Sequence, residues 1–438
     1  MIASSLIALL LTQAQLQDVV PSRGSAQGPS GAAGAPLAAE PTAGTSDWAQ
    51  WRGPDRDGQF AGPSWPAGLQ DGSLEPLWSV DELGDSYATP IVCGDRVFTV
   101  ATYDEDEEVV RAYDRSTGKQ LWVARWEGAM EVPFFAAKNG SWVRSTPACD
   151  GSSLYVGGML DVLVCLDVET GELRWQVDFA DRHGVSRPQF GLVCSPLVDG
   201  DALYIQAGAA IEKIDKHSGK TIWRSMASGG GMDSAFSSPI LAEVHGEQQL
   251  VIQTRTQLAG LNPADGEVLW TFDVKAFRGM NILTPLPVGD GFFTATYGGR
   301  AQRIDLTKTD EGFEASSAWQ HRAQGYMTSP VMAGGHAYLF LRSNRFASIP
   351  LDDGDGGYIS EPTGDEYMSL IAQGDRILAL SESGLLRMVR ATPEAFEVLG
   401  EVQLVEGQTW AHLAAAGEHV FVREQNSLHA FRWSEPGK

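Results

Sequence analysis

The sequence predicts an all-β fold, an eight-bladed β-propeller of four-stranded antiparallel blades closed by an N-terminal strand. Three observations carry that prediction. A turn motif recurs in register, a second recurrent element marks where each unit begins, and an orphan copy of the repeat's Trp strand stands ahead of the first unit.

The turn motif fixes the repeat. From Ala112 the chain reads AYDRSTGKQLW, with Asp114, Thr117, Gly118 and Trp122, and from Cys165 it reads CLDVETGELRW, with Asp167, Thr170, Gly171 and Trp175. A third copy, KIDKHSGKTIW, holds Asp215, Ser218, Gly219 and Trp223, and a fourth, GLNPADGEVLW, holds Asn262, Asp265, Gly266 and Trp270. Self-similarity of this kind is the signature of a repeat architecture. Asp or Asn at a strand end accepts turn amides, and glycine supplies the left-handed backbone of a tight hairpin. An indole at the same place in every unit suits wedging between blades, where it buries about 150–250 Å².

The unit starts are marked by Thr89-Pro90, Thr146-Pro147, Ser195-Pro196, Ser238-Pro239, Thr284-Pro285 and Ser329-Pro330, and more loosely by Ser369-Leu370 and His412-Leu413. Each precedes a short polar turn and an apolar strand such as VFTV, LYVG, LYIQ or FFTA. The spacing, 57 residues and then 40 to 49, is that of a four-stranded blade. Units five to eight lack the full turn motif, so a seven-bladed ring is the alternative count. The last unit ends near Trp433 without room for an outer strand, while Leu77-Trp78 has no unit of its own. Pairing the two ends closes the ring and removes its exposed edges.

Composition bounds the rest. The formal net charge of −24 repels phosphate backbones, which argues against a nucleic-acid partner. The apolar run at residues 2–11 is too short to span a bilayer, and residues 1–14 read as a signal peptide. Residues 15–46, rich in Gly, Ala, Ser, Pro and Gln, read as a disordered linker. All four cysteines lie downstream, so the leader has no lipobox; export to the periplasm or outside the cell is expected without a membrane span. Cys93, Cys149, Cys165 and Cys194 allow three pairings, or buried free thiols, and spacing does not choose.

The element A-x-D-x-x-T-G-x-x-x-W, matched in full by Ala112, Asp114, Thr117, Gly118 and Trp122, resembles the repeat of pyrroloquinoline-quinone (PQQ) type propellers over about residues 75–435. Ahead of the ring, residues 47–74 contain DWAQWRGPDRDG, with Trp48, Trp51, Arg52, Gly53, Pro54, Arg56 and Gly58, which resembles the WRGP element of exported family members. It reads as a lid packing two Trp rings on the propeller. The family includes quinoprotein dehydrogenases and also cofactor-free propellers, such as the lipoprotein of outer-membrane assembly. The dehydrogenases' adjacent cysteine pair and C-x-x-C-H haem site have no counterpart here. The resemblance therefore implies a monomeric, non-catalytic scaffold without cofactor that binds a protein, peptide or envelope component. A PQQ- and calcium-dependent oxidoreductase and a carbohydrate-binding propeller are the alternatives.

Propeller ligands sit where inter-blade loops converge, so the residues just before each unit start are the candidate binding face: Tyr87, Arg144, Gln189, Phe190, Asp233, Asn281, Tyr326, Tyr367 and Trp410. The two longest loops, 123–146 and 176–195, carry PFF at 133–135 and RPQF at 187–190 and are the preferred partner-binding loops. The acidic run Asp104 to Glu108 reads as a solvated hairpin. LDDGDGGY, with Asp352, Asp353 and Asp355, lacks the acidic spacing of a calcium loop, and the histidines lack ligand spacing, so no metal site is expected.

Overall fold

The computed structural model describes residues 47–228 and 236–434; the expected signal peptide and linker, and Asp233, lie outside them. Eight four-stranded antiparallel sheets form the ring. Blades 1 to 7 run over residues 91–127, 148–178, 197–225, 240–273, 286–321, 331–362 and 368–403, and blade 8 joins 414–433 to the N-terminal strand Leu74–Val80. That strand pairs antiparallel with Leu428–Trp433, from Leu74 opposite Trp433 to Val80 opposite Leu428. The count is eight, and the ends meet as the orphan Trp78 requires.

The turn motif explains how blade holds blade. Asp114 Oδ1 accepts the amides of Ser116 and Thr117 at 3.1 and 2.8 Å, and Asp167 and Asp215 cap their own turns in the same way. The following glycine, left-handed at φ 68° in Gly118 and 73° in Gly171, lies beneath the indole of the preceding blade. A Cβ on Gly171 would meet Trp122 Cδ2 at 2.7 Å. The same indole donates its N–H to the carbonyl just after the turn's Asp or Asn: Trp78 to Arg115 (3.0 Å), Trp122 to Val168 (2.9 Å), Trp175 to Lys216 (2.9 Å) and Trp223 to Pro263 (3.2 Å). Hydrophobic wedge and hydrogen bond thus repeat together from blade to blade.

Two departures mark where the motif decays. Trp270 donates instead to Gln249 of its own blade at 2.7 Å, because blade 5 replaces the Thr-Gly turn with the long hairpin of Ala301–Thr309 and Gly312–His321. LDDGDGGY restores the interlock: Trp319 donates to Leu351 at 3.3 Å and lies over Gly354, whose φ is 70°. The acidic segment is a rebuilt turn.

Ser/Thr hydroxyls at several unit starts also have a role. Around the axis, Thr89 N donates to Thr146 Oγ1, Thr146 N to Ser195 Oγ, Ser195 N to Ser238 Oγ and Thr284 N to Ser329 Oγ, all between 2.9 and 3.1 Å. At these four steps a hydroxyl of one blade satisfies a backbone donor of the blade before it, whereas at the last step the direction reverses and Leu413 N of blade 8 donates to Ser369 Oγ of blade 7 at 3.1 Å.

Cys93 and Cys149 form a disulfide between the innermost strands of blades 1 and 2, with Cα atoms 6.4 Å apart, and Cys165 and Cys194 are buried free thiols. The acidic run is a turn, but its last residue is not solvated. Glu108 is fully buried and accepts from the Trp126 indole at 2.8 Å and from the Met159 amide at 2.5 Å, while burial pushes its carboxyl up to about 8.

Candidate functional site

Because strands alternate in direction, the connections between blades and the middle hairpin of each blade lie on one face, and the Asp-Thr-Gly turns lie on the other. The sequence-derived candidates among the described residues belong to the first face or its approach to the axis.

The axis itself is filled. Residues 47–60 cross it and touch the innermost strands of nearly the whole ring. The Trp48 backbone pairs with Val92 of blade 1, Ala49 O accepts from Cys149 of blade 2, and Phe60 N donates to Ala372 of blade 7. Trp51 donates its indole N–H to Thr284 of blade 5 at 2.9 Å and lies 4.3 Å from the His412 ring of blade 8. Arg52 donates to Pro330 O of blade 6 at 2.5 Å and Arg56 to Pro196 O and Ser195 O of blade 3 at 2.8 and 3.0 Å. Both guanidinium groups are buried and bonded to carbonyls, and burial lowers them to about 10 and about 9. The WRGP segment is therefore an axial plug, reaching deeper than a lid. Desolvation and Arg52 hold His412 down at about 3, so the plug meets a neutral imidazole.

On the open face the candidates fall into two aromatic groups. Tyr87 meets Trp142 edge-on at 5.5 Å, approaches Trp410 at 6.1 Å and carries the Arg144 guanidinium 5.6 Å over its ring. Arg144 also donates to Trp142 O and Gly140 O, and burial lowers it to about 10. Tyr367 stacks on Trp410 at 5.5 Å but is itself buried, with its phenol pushed up by desolvation. It supports the face from beneath. Asn281 is buried too, its amide donating to Thr254 O and Arg255 O at 2.9 and 3.0 Å, so it fixes the hairpin of blade 4.

The second group is a path of rings on neighbouring loops. Phe134 and Phe135, on the short 3₁₀ helix Phe134–Asn139, are 91% and 54% exposed. Phe135 approaches Phe190 at 6.4 Å, and Phe190 approaches Phe236 at 5.6 Å. Arg278 lies over both Phe135 and Phe277, at 5.9 and 5.3 Å. Phe277, 45% exposed, is 5.0 Å from Tyr297, which is 5.3 Å from Tyr326 and has Arg342 over its ring at 4.3 Å. Gln189 is half-buried beside Phe190. A groove of about 280 Å³ between blades 2, 3 and 4, lined by Asp161, Pro188, Gln206, Ala209, Arg255 and Gln257, opens beside this path.

Tyr87, Arg144, Phe190, Tyr326 and Trp410 are thus brought onto one face. Trp142, Phe236, Phe277, Arg278, Tyr297 and Arg342 join them from positions that were not singled out in the sequence. Several sit in middle hairpins or one turn earlier than the unit start; the TYGGR that follows FFTA, and the KAFRG before Asn281, were the available signals.

A family model described as "Outer membrane protein assembly factor BamB" matches residues 105–356. Among curated proteins, the assembly factor BamB of Yersinia pestis is 20% identical over 260 residues, which is 54% of this chain and 63% of that protein. The BamB of Shewanella oneidensis is 22% identical over 263 residues, 56% of this chain and 59% of that protein. The chain thus spans about three fifths of the length of these relatives. Among solved structures, BamB from Moraxella catarrhalis has a TM-score of 0.59 at 14% identity, covering 83% of this chain and 99% of that one. A quinohemoprotein alcohol dehydrogenase from Pseudomonas putida HK5 has a TM-score of 0.62 at 14% identity, covering 90% and 81%. Assembly factor and dehydrogenase match about equally well, so the likeness carries the fold alone.

Proposed function

The chain belongs to the PQQ-like β-propeller family whose model matches residues 105–356, and on that footing we propose that it is an exported, non-catalytic scaffold that binds a protein partner through the open face. The observation that carries the reading is the ring path from Phe134 to Tyr326. Large apolar side chains 91%, 54% and 45% exposed lie together on loops that a rigid ring holds in place, and such clusters mark protein interfaces. Aromatic and arginine side chains are the residues that dominate interface energies.

Three further points support the proposal. Curated relatives over half the chain are named as outer-membrane assembly factors. The Cys93–Cys149 disulfide suits an oxidising compartment such as the envelope. The axis holds Trp51 and the guanidinium groups of Arg52 and Arg56, all bonded to the ring. Those residues do not fit a quinone with calcium on the axis, so no redox step is assigned.

The test is capture from envelope extracts by the immobilised full chain, compared with Phe134→Ala/Phe135→Ala. Both rings are exposed, so the variant keeps its fold. The proposal expects a specific protein retained by the wild type and lost from the variant. Equal capture by both would move the site off this face.

A further inference from the structure

The chain has a formal charge of −24, yet one sector of its open face has the opposite sign. Lys275 and Arg278 lie in the connection between blades 4 and 5, Arg300 in the middle hairpin of blade 5, Arg322 in the connection to blade 6, and Arg342 in that blade's middle hairpin. All five are exposed, and none is within ion-pair distance of a carboxylate among the described residues. The loop stretches 254–256, 274–285, 296–300, 322–330 and 342–344 contain no Asp or Glu. In a chain with 56 acidic side chains, loops from three successive blades without one make a field of single sign.

The cations are interleaved with rings. Arg342 lies 4.3 Å over Tyr297, and Arg278 5.3 Å over Phe277. A guanidinium laid on a ring is preorganised while its N–H edge still matches a carboxylate, and the rings between offer apolar area for neighbouring side chains. A bare phosphate polymer would use the charge and leave the rings idle.

We propose that this sector docks an acidic polypeptide segment of the partner, in which carboxylates alternate with apolar side chains. The inference deepens the scaffold reading and rests on it. Carboxylates meet Arg278, Arg322 and Arg342, and apolar side chains cover Phe277 and Tyr297.

The experiment uses the full chain and a short fluorescein-labelled peptide of Asp, Glu and Leu, with its Lys-substituted counterpart, inorganic polyphosphate and phosphatidylglycerol vesicles as further arms. The acidic peptide should bind, the basic one should not, and raising salt from about 0.01 to 0.15 M should weaken binding as the Debye length falls from about 30 to 8 Å. Arg278→Glu/Arg322→Glu/Arg342→Glu should weaken it at least about tenfold. Lys119→Glu/Lys220→Glu/Arg432→Glu, equal in net charge and away from the sector, should leave it unchanged. Equal loss in both triple variants, equal binding of both peptides, or binding of polyphosphate or vesicles without the acidic peptide would each overturn the proposal. If the acidic peptide fails while Phe134→Ala/Phe135→Ala still loses its captured protein, this inference falls and the scaffold reading stands.

Discussion

Gly246 and Gly266 share a backbone angle, φ 78°, but have different ceilings, and that difference isolates the interlock between blades. A Cβ on Gly246 would meet nothing within 4 Å, whereas a Cβ on Gly266 would meet Trp223 Cε3 at 2.6 Å. Gly246→Ala therefore carries only the left-handed backbone term, about 1–2 kcal/mol. Gly266→Ala adds overpacking against an indole fixed by its bond to Pro263, about 1–3 kcal/mol more. Trp223→Ala should cost about 3–5 kcal/mol by itself and abolish the extra term, so the pair Gly266→Ala/Trp223→Ala should show a coupling of about 1–3 kcal/mol. Urea unfolding followed by far-ultraviolet circular dichroism reads all four variants. Equal losses for Gly246→Ala and Gly266→Ala, or additive losses for the pair, would refute the claim that the motif's glycine is needed for the neighbouring blade's tryptophan.

Other consequences are as direct. Thiol titration of the unfolded chain should find two reactive cysteines without reductant and four after reduction, and Cys93→Ser/Cys149→Ser should lower stability by roughly 4 kcal/mol through loop entropy. A free Glu ionises near 4.5 and Glu108 near 8, so the folded chain keeps a proton that the unfolded chain has released; stability should fall as pH rises from 4.5 to 8, and Glu108→Gln should flatten that decline in melts taken across the range. Added PQQ and calcium should change neither the absorbance nor the melting temperature, since Trp51, Arg52 and Arg56 occupy the axis; saturable quinone binding with dye reduction would contradict the non-catalytic reading.

Legibility in the sequence followed the physics of each feature. Asp114, Gly118 and Trp122 were readable because turn capping, positive φ and inter-blade burial each restrict residue type at a fixed spacing. The Ser/Thr before each proline was visible as a pattern, but the purpose that four of them serve, accepting a neighbour's amide, depends on a partner 43 to 57 residues away. The plug was hidden for the same reason. Nothing local in WRGP says that Arg52 and Arg56 will reach carbonyls of blades 6 and 3. The pairing of Cys93 with Cys149 follows from adjacency of two inner strands, which a linear spacing does not encode. Of the face, residues just before a unit start could be found by position, whereas Tyr297, Phe277 and Arg342 became neighbours only once three blades were placed side by side.

The central claim is that the open face binds a protein, and site-specific photo-crosslinking tests it most directly. A benzophenone side chain placed at Phe134, 91% exposed on that face, should give one identifiable protein adduct in envelope extracts, while the same group at Leu121, 42% exposed next to the Asp114 turn on the opposite face, should give none. An adduct at Leu121 and none at Phe134, or none at either, would contradict the account.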